Sequence, residues 1–370
     1  MYRYGRKIFK NSVEKEGKTR KKEYIHYRKT KKILWEGNMD EIRLRTLENE
    51  RKNLSRFACL CADTKGRERP EEECAVRTAF QRDRDRIVHC SAFRRLKHKT
   101  QVFLSPDSDH YRTRLTHTLE VSQIARTIAM GLSLNENLTE AIALGHDLGH
   151  TPFGHAGERA LNAVMENGFR HYEQSLRVVD IIENNGKGLN LTYEVRDGIV
   201  CHTRGKEADT LEGRIVKLAD RIAYINHDID DAERGGVLNE ESIPPDVRRI
   251  LGNSKSERIN TLVLSAIRNT QDEIHLDPGV QAAFDILHEF MFDRVYTNPV
   301  CKSEESKAIS MIQQLFTFFC DRPDELPNEY ISIAWREGTQ RAVCDYIAGM
   351  TDGYAIKTFQ KYFIPSAWEK

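Results

Sequence analysis

The stretch that decides the fold of this chain is residues 146–158, which read His-Asp-Leu-Gly-His-Thr-Pro-Phe-Gly-His-Ala-Gly-Glu. It begins inside an apolar helical pattern, and Pro152 and Gly154 then break the chain into a tight connection. Working outward, His117 lies upstream in Thr-Arg-Leu-Thr-His-Thr-Leu-Glu, and Asp220 lies downstream in Leu-Ala-Asp-Arg-Ile-Ala-Tyr. Each of these polar residues interrupts a helical series of apolar residues. The pattern therefore predicts helices that carry polar groups toward a shared core.

The polar residues of these three segments are chemically suited to bind a metal. His117, His146, Asp147 and Asp220 supply two imidazoles and two carboxylates, which suit one divalent transition metal with open coordination positions. Charged groups that enter a core need a partner or a metal, and a bound divalent ion makes water nucleophilic at neutral pH. A lone His-Asp pair is usually a surface feature or a helix cap, but three such helices are difficult to explain by packing. The residues predict a metal-dependent hydrolase.

The connection after the His-Asp pair contains further groups for proton transfer. His150 follows His146 by four residues and so lies one turn along the same helix face. His155 and Glu158 are three residues apart at the start of the next helix, where a histidine beside a carboxylate is a plausible acid/base pair. The alternative is that Glu158 only stabilises the N-terminus of that helix.

The helix of Asp220 also presents groups that suit a sugar phosphate. Tyr224 and Asp228 follow Asp220 at intervals of four residues and share its face. Arg221 and the basic run 94–99 supply positive charge of the kind that phosphate requires. For the basic run, a solvated helix face is an equally good interpretation. No glycine-rich phosphate loop and no serine nucleophile elbow occurs in the sequence.

Charge and cysteine usage describe the setting of the protein. The 370 residues include 57 Lys or Arg and 56 Asp or Glu, but residues 1–32 hold 13 of the basic residues and only three Glu. We expect residues 1–38 to be a disordered basic tail, an arm for nucleic acid, or an extension upstream of a true start at Met39. No apolar run is long enough to span a membrane. Eight scattered cysteines are typical of reduced thiols in a cytoplasmic protein.

The apolar period from residue 39 onward predicts helix after helix, with almost no alternating runs. We predict an all-α protein with a catalytic core over 39–235 and a helical C-terminal region over 236–370 that completes the same globule. The predicted helices are 39–52, 74–88, 91–97, 112–134, one capped by Thr139 that runs to His150, 156–167, 172–184, 194–202, 211–232, 247–271, 279–295, 303–322, 328–348 and 353–361.

Taken together, the motifs resemble a known family. The order His, His-Asp, Asp resembles the signature of the HD-domain phosphohydrolases. The run 146–158, with Phe-Arg-Arg-Leu at 93–96, the segment 112–117 and the segment 219–224, resembles the dGTP triphosphohydrolase (dGTPase-like) family over roughly residues 50–360. The resemblance implies an HD-domain helical bundle with a helical C-terminal region packed on it. It also implies hydrolysis of dGTP, or of several dNTPs, to deoxynucleoside and intact triphosphate.

The resemblance assigns roles to individual residues. The positions that match the family's metal ligands are His117, His146, Asp147 and Asp220. Those that match its catalytic residues are His150, His155, Glu158 and His171. The positions expected to contact substrate are Gln101, Arg114, Arg221, Tyr224 and Asp228.

Cofactor and partners also follow from the resemblance. It implies one divalent ion, and Mn²⁺, Mg²⁺, Co²⁺, Ni²⁺ and Zn²⁺ are all compatible with these ligands. Family members are often homo-oligomers, commonly hexamers, and some are regulated by nucleotides or single-stranded DNA. Two alternatives stay open: another HD-type nucleotide phosphohydrolase, and a nucleotide- or single-stranded-DNA-binding regulator without turnover. The His155/Glu158 segment, which simpler HD proteins lack, argues against the first alternative, and the complete set of ligands and catalytic candidates argues against the second.

Overall fold

The computed structural model of the protein describes residues 41–101, 112–203, 205–298 and 304–365. Within these ranges the regular structure is helical, and the only strand-like pairing is two isolated bridges, Arg67 with Thr192 and Thr100 with Thr113. The predicted all-α class is confirmed. The tail predicted over 1–38 and the start proposed at Met39 lie outside the described residues.

The α-helices of at least five residues in the described ranges are numbered here in chain order. They are α1 (41–53), α2 (Ala79–His89), α3 (Ser91–Arg95), α4 (Arg114–Gly131), α5 (Glu136–Gly145), α6 (Gly154–Val164), α7 (His171–Arg177), α8 (Tyr193–Val200), α9 (Leu211–Arg234), α10 (Pro245–Leu251), α11 (Lys255–Asn269), α12 (Pro278–Met291), α13 (Glu305–Asp321), α14 (Asn328–Glu337), α15 (Thr339–Ala348) and α16 (Asp352–Phe363). Helices α7 and α12 each continue into one wider turn, over Val178–Ile182 and Phe292–Tyr296. None of the described helices has the length and apolar character that a membrane crossing requires.

Two clusters of buried apolar side chains organise the helices. The larger cluster runs from Cys61 to Val295 and includes residues of α4, α5 and α9, which pack against one another. The smaller cluster joins α6 to the C-terminal helices α13–α16. The larger cluster also includes residues beyond 235, from Leu238 to Val295. The predicted boundary between a catalytic core over 39–235 and a C-terminal region over 236–370 stays a prediction. The predicted ligands lie on α4, α9 and the end of α5, within the larger cluster.

The predicted start and end of α5 are wrong. Asn135, and not Thr139, caps this helix, because its side chain accepts hydrogen bonds from the backbone N–H groups of Asn137 at 3.1 Å and Leu138 at 3.3 Å. Thr139 lies inside the helix and donates its hydroxyl to the Asn135 carbonyl at 2.9 Å. The helix ends at Gly145 instead of His150, so the His-Asp pair begins the turn that follows it.

Two predicted long helices are each divided by a glycine. The range 247–271 contains α10 and α11, with Gly252 at φ +116° between them. The range 328–348 contains α14 and α15, with Gly338 at φ +93°. The apolar period continues on both sides of each break, which is why periodicity alone missed it. A glycine at positive φ is a common helix terminator.

A buried carboxylate, Glu212, fixes the start of α9, the helix that carries Asp220. Its Oε1 accepts hydrogen bonds from the backbone N–H groups of Cys59 at 3.0 Å and Asn135 at 2.9 Å. The side chain is fully buried, and burial raises the pKa of Glu212 to about 7. The start of α9 is thereby connected to the start of α5.

Glu212→Gln should change how stability depends on pH. The folded protein retains the Glu212 proton up to about pH 7, whereas the ordinary pKa is 4.5. The contribution of this carboxyl to the free energy of unfolding is therefore complete below pH 4.5 and is lost as pH rises to about 7. The free energy of unfolding of Glu212→Gln, relative to the natural protein, should rise by about 3 kcal/mol across that interval. Urea titrations at a series of pH values measure it, and a difference that does not change with pH would contradict it.

Candidate metal centre and active site

The turn after α5 is held in place by α7. Ser175 accepts a hydrogen bond from the backbone N–H of Gly149 at 2.9 Å and donates its hydroxyl to the carbonyl of His146 at 2.6 Å. A Cβ on Gly149 would lie 2.1 Å from the backbone N of Ser175. Only glycine allows the turn to approach α7 this closely. The contact between this turn and α7 therefore fixes the backbone at His146.

The start of α6 is fixed by groups from distant parts of the chain. Phe153 adopts the left-handed conformation at φ +60°, and Gly154 follows at φ +52°. The backbone N–H of Phe153 donates to Asp352 Oδ1 at 3.0 Å, while the N–H and hydroxyl of Thr100 donate to Asp352 Oδ2 at 3.0 and 2.6 Å. A left-handed aromatic residue is unfavourable unless its surroundings hold it. These contacts place the predicted acid/base pair of α6.

The four predicted metal ligands lie together. His117 Nε2 is 3.0 Å from Asp220 Oδ1 and 3.9 Å from Asp147 Oδ2. His146 Nε2 is 3.3 Å from Asp147 Oδ1 and 3.8 Å from Asp220 Oδ1. Three of the four residues are fully buried, and Asp220 is partly exposed. Helices α4 and α9 and the end of α5 thus bring two imidazoles and two carboxylates to one point.

The donor atoms of this cluster fit a divalent cation. His146 Nδ1 lies 2.6 Å from the Ala143 carbonyl, which can only accept, so Nδ1 carries the proton and Nε2 has the lone pair. Nε2 is buried, and no hydrogen-bond partner for it occurs among the residues that the structure describes. Burial alone would raise the pKa of Asp147, but the imidazoles of His146 and His150 and the guanidinium of Arg114 around it hold that pKa well below its usual range. An unpaired imidazole lone pair beside ionised carboxylates is the arrangement that a metal ion satisfies.

The predicted catalytic residues form a second group beside the first. His150 Nε2 lies 3.3 Å from Asp147 Oδ1, and its ring stacks on His171 with centroids 3.9 Å apart and 17° between the planes. His171 Nδ1 lies 3.0 and 3.1 Å from the two oxygens of Glu158. His155 Nδ1 is 3.4 Å from Glu158 Oε2, and its side chain is 64% exposed. The sequence pairs Glu158 with His155, and the structure adds a closer partner, His171.

Glu158 is held ionised in this group. Burial would raise its pKa, but hydrogen bonds from His155 and His171 outweigh burial and lower the pKa of Glu158 far below its usual value. The backbone N–H of His171 also donates to Glu158 Oε1 at 3.0 Å. Burial lowers the pKa of His150 well below that of free histidine, so His150 is neutral at physiological pH. The group can therefore both accept and transfer protons.

The predicted substrate-contacting residues do not all face this site. Arg114 Nη1 donates to Asp147 Oδ2 at 2.9 Å, inside the cluster. A Cβ on Gly154 would lie 2.6 Å from the Gln101 carbonyl, which places Gln101 beside the start of α6. Arg221 instead lies 3.2 Å from Asp285 and lines a separate cleft of about 360 Å³. Its predicted contact with substrate has no support from this position.

A tyrosine that the sequence interpretation missed holds Asp228. Tyr296, in the wide turn after α12, donates its hydroxyl to Asp228 Oδ2 at 2.5 Å. Both residues are largely buried, and burial raises the pKa of Asp228 to about 7. Tyr224, four residues before Asp228 on α9, lies with its ring centroid 6.3 Å from that of His288. No pattern in the sequence marks Tyr296, because its contact depends on how α12 packs against α9.

His202 is another histidine of this cluster that the sequence interpretation omitted. It lies two residues beyond α8, and its ring centroid is 4.9 Å from that of His146 and 5.4 Å from that of His171. Burial lowers the pKa of His202 to about 3. Residues 193–201 form a partly apolar helical series that leads to His202, but this pattern does not show that α8 approaches α5.

Comparison with known proteins gives consistent matches along the chain. A family model described as the HD domain matches residues 114–225, and one described as the phosphohydrolase-associated domain matches residues 274–361. A deoxyguanosinetriphosphate triphosphohydrolase-like protein of Caldanaerobacter subterraneus subsp. tengcongensis is 55% identical over 330 residues, 89% of this chain and 97% of the relative. A protein of the same description from Clostridium perfringens is 50% identical over 331 residues, 86% of this chain and 97% of the relative. The crystal structure of a phosphohydrolase from Bacteroides thetaiotaomicron aligns with a TM-score of 0.49 at 17% identity, over 75% of this chain and 69% of that one.

Proposed function

Since the chain belongs to the deoxyguanosinetriphosphate triphosphohydrolase-like family of HD-domain phosphohydrolases, we propose that it hydrolyses dGTP, or several dNTPs, to deoxynucleoside and triphosphate. One divalent ion, Mn²⁺, Mg²⁺, Co²⁺, Ni²⁺ or Zn²⁺, would be its cofactor. The observation that carries the proposal is the position of the Glu158–His171 pair beside the His-Asp cluster, with His150 in contact with both groups. The cluster suits phosphate and water, and the pair suits proton transfer.

The side chains of this site can perform the reaction as follows. His117, His146, Asp147 and Asp220 would hold the ion, which supplies Lewis acidity and lowers the pKa of water. Hydrolysis at the α-phosphorus forms a bond to the water oxygen, breaks the bond to O5′ and requires a proton on O5′. Glu158 binds Nδ1 of both His155 and His171, which leaves Nε2 of each ring to give or accept that proton.

Selection of deoxyribose is expected from the remaining predicted substrate contacts. Gln101, Tyr224 and Asp228 would surround the sugar and leave no space for a 2′-hydroxyl. The hydroxyl of Tyr296 fixes one oxygen of Asp228, so only the other oxygen remains for a hydroxyl of the substrate. Arg114 would contribute positive charge near the phosphate from its place beside Asp147.

Product analysis tests the proposal directly. The purified protein is incubated with Mn²⁺ or Mg²⁺ and the four dNTPs, singly and mixed, and the products are separated. Deoxynucleoside and triphosphate are expected, and higher turnover in the mixture would identify a dNTP effector. Monophosphate and pyrophosphate would show that the chain is another HD-type nucleotide phosphohydrolase. No turnover, together with salt-dependent binding of single-stranded DNA, would favour a regulator. The cytoplasmic location and the homo-hexamer stay predictions.

A further inference from the structure

His202 and His146 are oriented by the same local contact. His202 Nδ1 lies 2.6 Å from the carbonyl of Ile199, three residues earlier, as His146 Nδ1 lies 2.6 Å from the carbonyl of Ala143. A carbonyl can only accept, so in each ring Nδ1 carries the proton and Nε2 has the lone pair. In metalloproteins, donation from one ring nitrogen to a carbonyl commonly orients the other nitrogen toward a metal.

Two glycines bring these histidines together. A Cβ on Gly145 would lie 2.6 Å from Ile199 Cδ1, and a Cβ on Gly198 would lie 2.5 Å from Ile142 Cδ1. Helices α5 and α8 can therefore pack closely where they end, one residue before His146 and two residues before His202. The resulting ring centroids are 4.9 Å apart with the planes at 74°.

His202 belongs geometrically to the metal cluster. Ligand atoms of His146, His202 and Asp220 all lie within 4.8 Å of one another, as do those of His117, His146 and Asp147. His202 is only 2% exposed, and it lies beside one imidazole and one carboxylate of the cluster, those of His146 and Asp220.

We propose that His202 is a ligand of the metal ion. Its Nε2 would supply a third imidazole nitrogen beside those of His117 and His146. The centre would then have five protein donors, and an octahedral ion would retain one open position in place of two. This assignment concerns the metal centre and rests on no particular substrate. The ligand assignment can therefore fail while the proposed hydrolysis stands, and the proposed hydrolysis can fail while the ligand assignment stands.

The coordination of the natural protein tests the proposal without any substitution. The metal-free protein is loaded with Mn²⁺ alone, and water-proton relaxation measures the number of rapidly exchanging waters on the ion. We expect about one water with five protein donors, and nitrogen couplings from three imidazoles in pulsed paramagnetic resonance. Two waters and two coupled imidazoles would overturn the assignment, whatever any variant does.

Substitution gives the second measurement. His202→Gln removes the imidazole but retains a polar side chain, and its Kd for Mn²⁺ should rise by at least about 10-fold, with one more exchanging water and one fewer coupled imidazole. The matched control is His227→Gln: His227 is also 2% exposed, its ring centroid is 5.9 Å from that of His117, and it lies 3.0 Å from Glu120, outside the metal cluster. The control should bind Mn²⁺ as the natural protein does. Equal Kd and water number in His202→Gln and the natural protein would overturn the proposal.

Discussion

Asp147→Ala should abolish metal binding and turnover together, because this carboxylate contacts a metal-ligand histidine, a catalytic histidine and an arginine of the site. Its Oδ1 lies 3.3 Å from Nε2 of both His146 and His150, and its Oδ2 accepts a hydrogen bond from Arg114 at 2.9 Å. Removing it deletes one ligand and leaves a buried guanidinium without its partner, which costs about 3–5 kcal/mol of stability. Metal content after dialysis, calorimetric titration with Mn²⁺ and the rate of dNTP hydrolysis measure the loss.

Asp147→Asn separates the metal effect from the stability effect. The amide oxygen can still accept from Arg114, so the fold should survive, whereas the negative charge that the cation requires is gone. The control is Asp180→Asn. Asp180 accepts hydrogen bonds from Arg196 at 2.7 Å and is not part of the cluster, so this variant should retain metal and turnover. If Asp147→Asn kept both, Asp147 would not be a metal ligand.

Sequence reasoning succeeded where one helix sets the geometry. His117 and Asp220 each interrupt an apolar helical series, and that pattern predicts a polar group inside a core without knowledge of how the helices pack. The His-Asp pair was found in the same way, although its helix ends at Gly145, earlier than predicted. The all-α class followed from the same periodicity.

The missed contacts depend on packing between helices. His202 reaches the cluster because Gly145 and Gly198 allow α5 and α8 to approach, and no spacing within one segment encodes that approach. Tyr296 reaches Asp228 from a turn 68 residues away along the chain. The glycines at 252 and 338 were visible in the sequence, but a glycine ends a helix only where the chain can turn at positive φ, and periodicity does not report this.

Proton transfer should depend on Glu158, because this carboxylate is the shared partner of His155 and His171. Glu158→Gln should leave metal content unchanged and lower kcat by about 10²–10⁴-fold, the usual range for general acid/base groups. The reason is geometric: both oxygens of Glu158 bind His171 at 3.0 and 3.1 Å, and one is also 3.4 Å from His155. A neutral amide cannot stabilise a protonated ring in the same way, so both imidazoles lose their partner at once.

The histidine variants decide which ring transfers the proton. His155→Ala should also retain metal and lower the rate by about 10²–10⁴-fold, because its exposed side chain is the one that an entering nucleotide can reach. An unchanged rate in His155→Ala with a large loss in His171→Ala would move the role to His171, which binds Glu158 more closely. Glu173→Gln is the matched control, since Glu173 is exposed and lies on the same helix as His171. Its kcat should equal that of the natural protein, and a loss there would mean that disturbance of α7, and not proton transfer, explains the effect of His171→Ala.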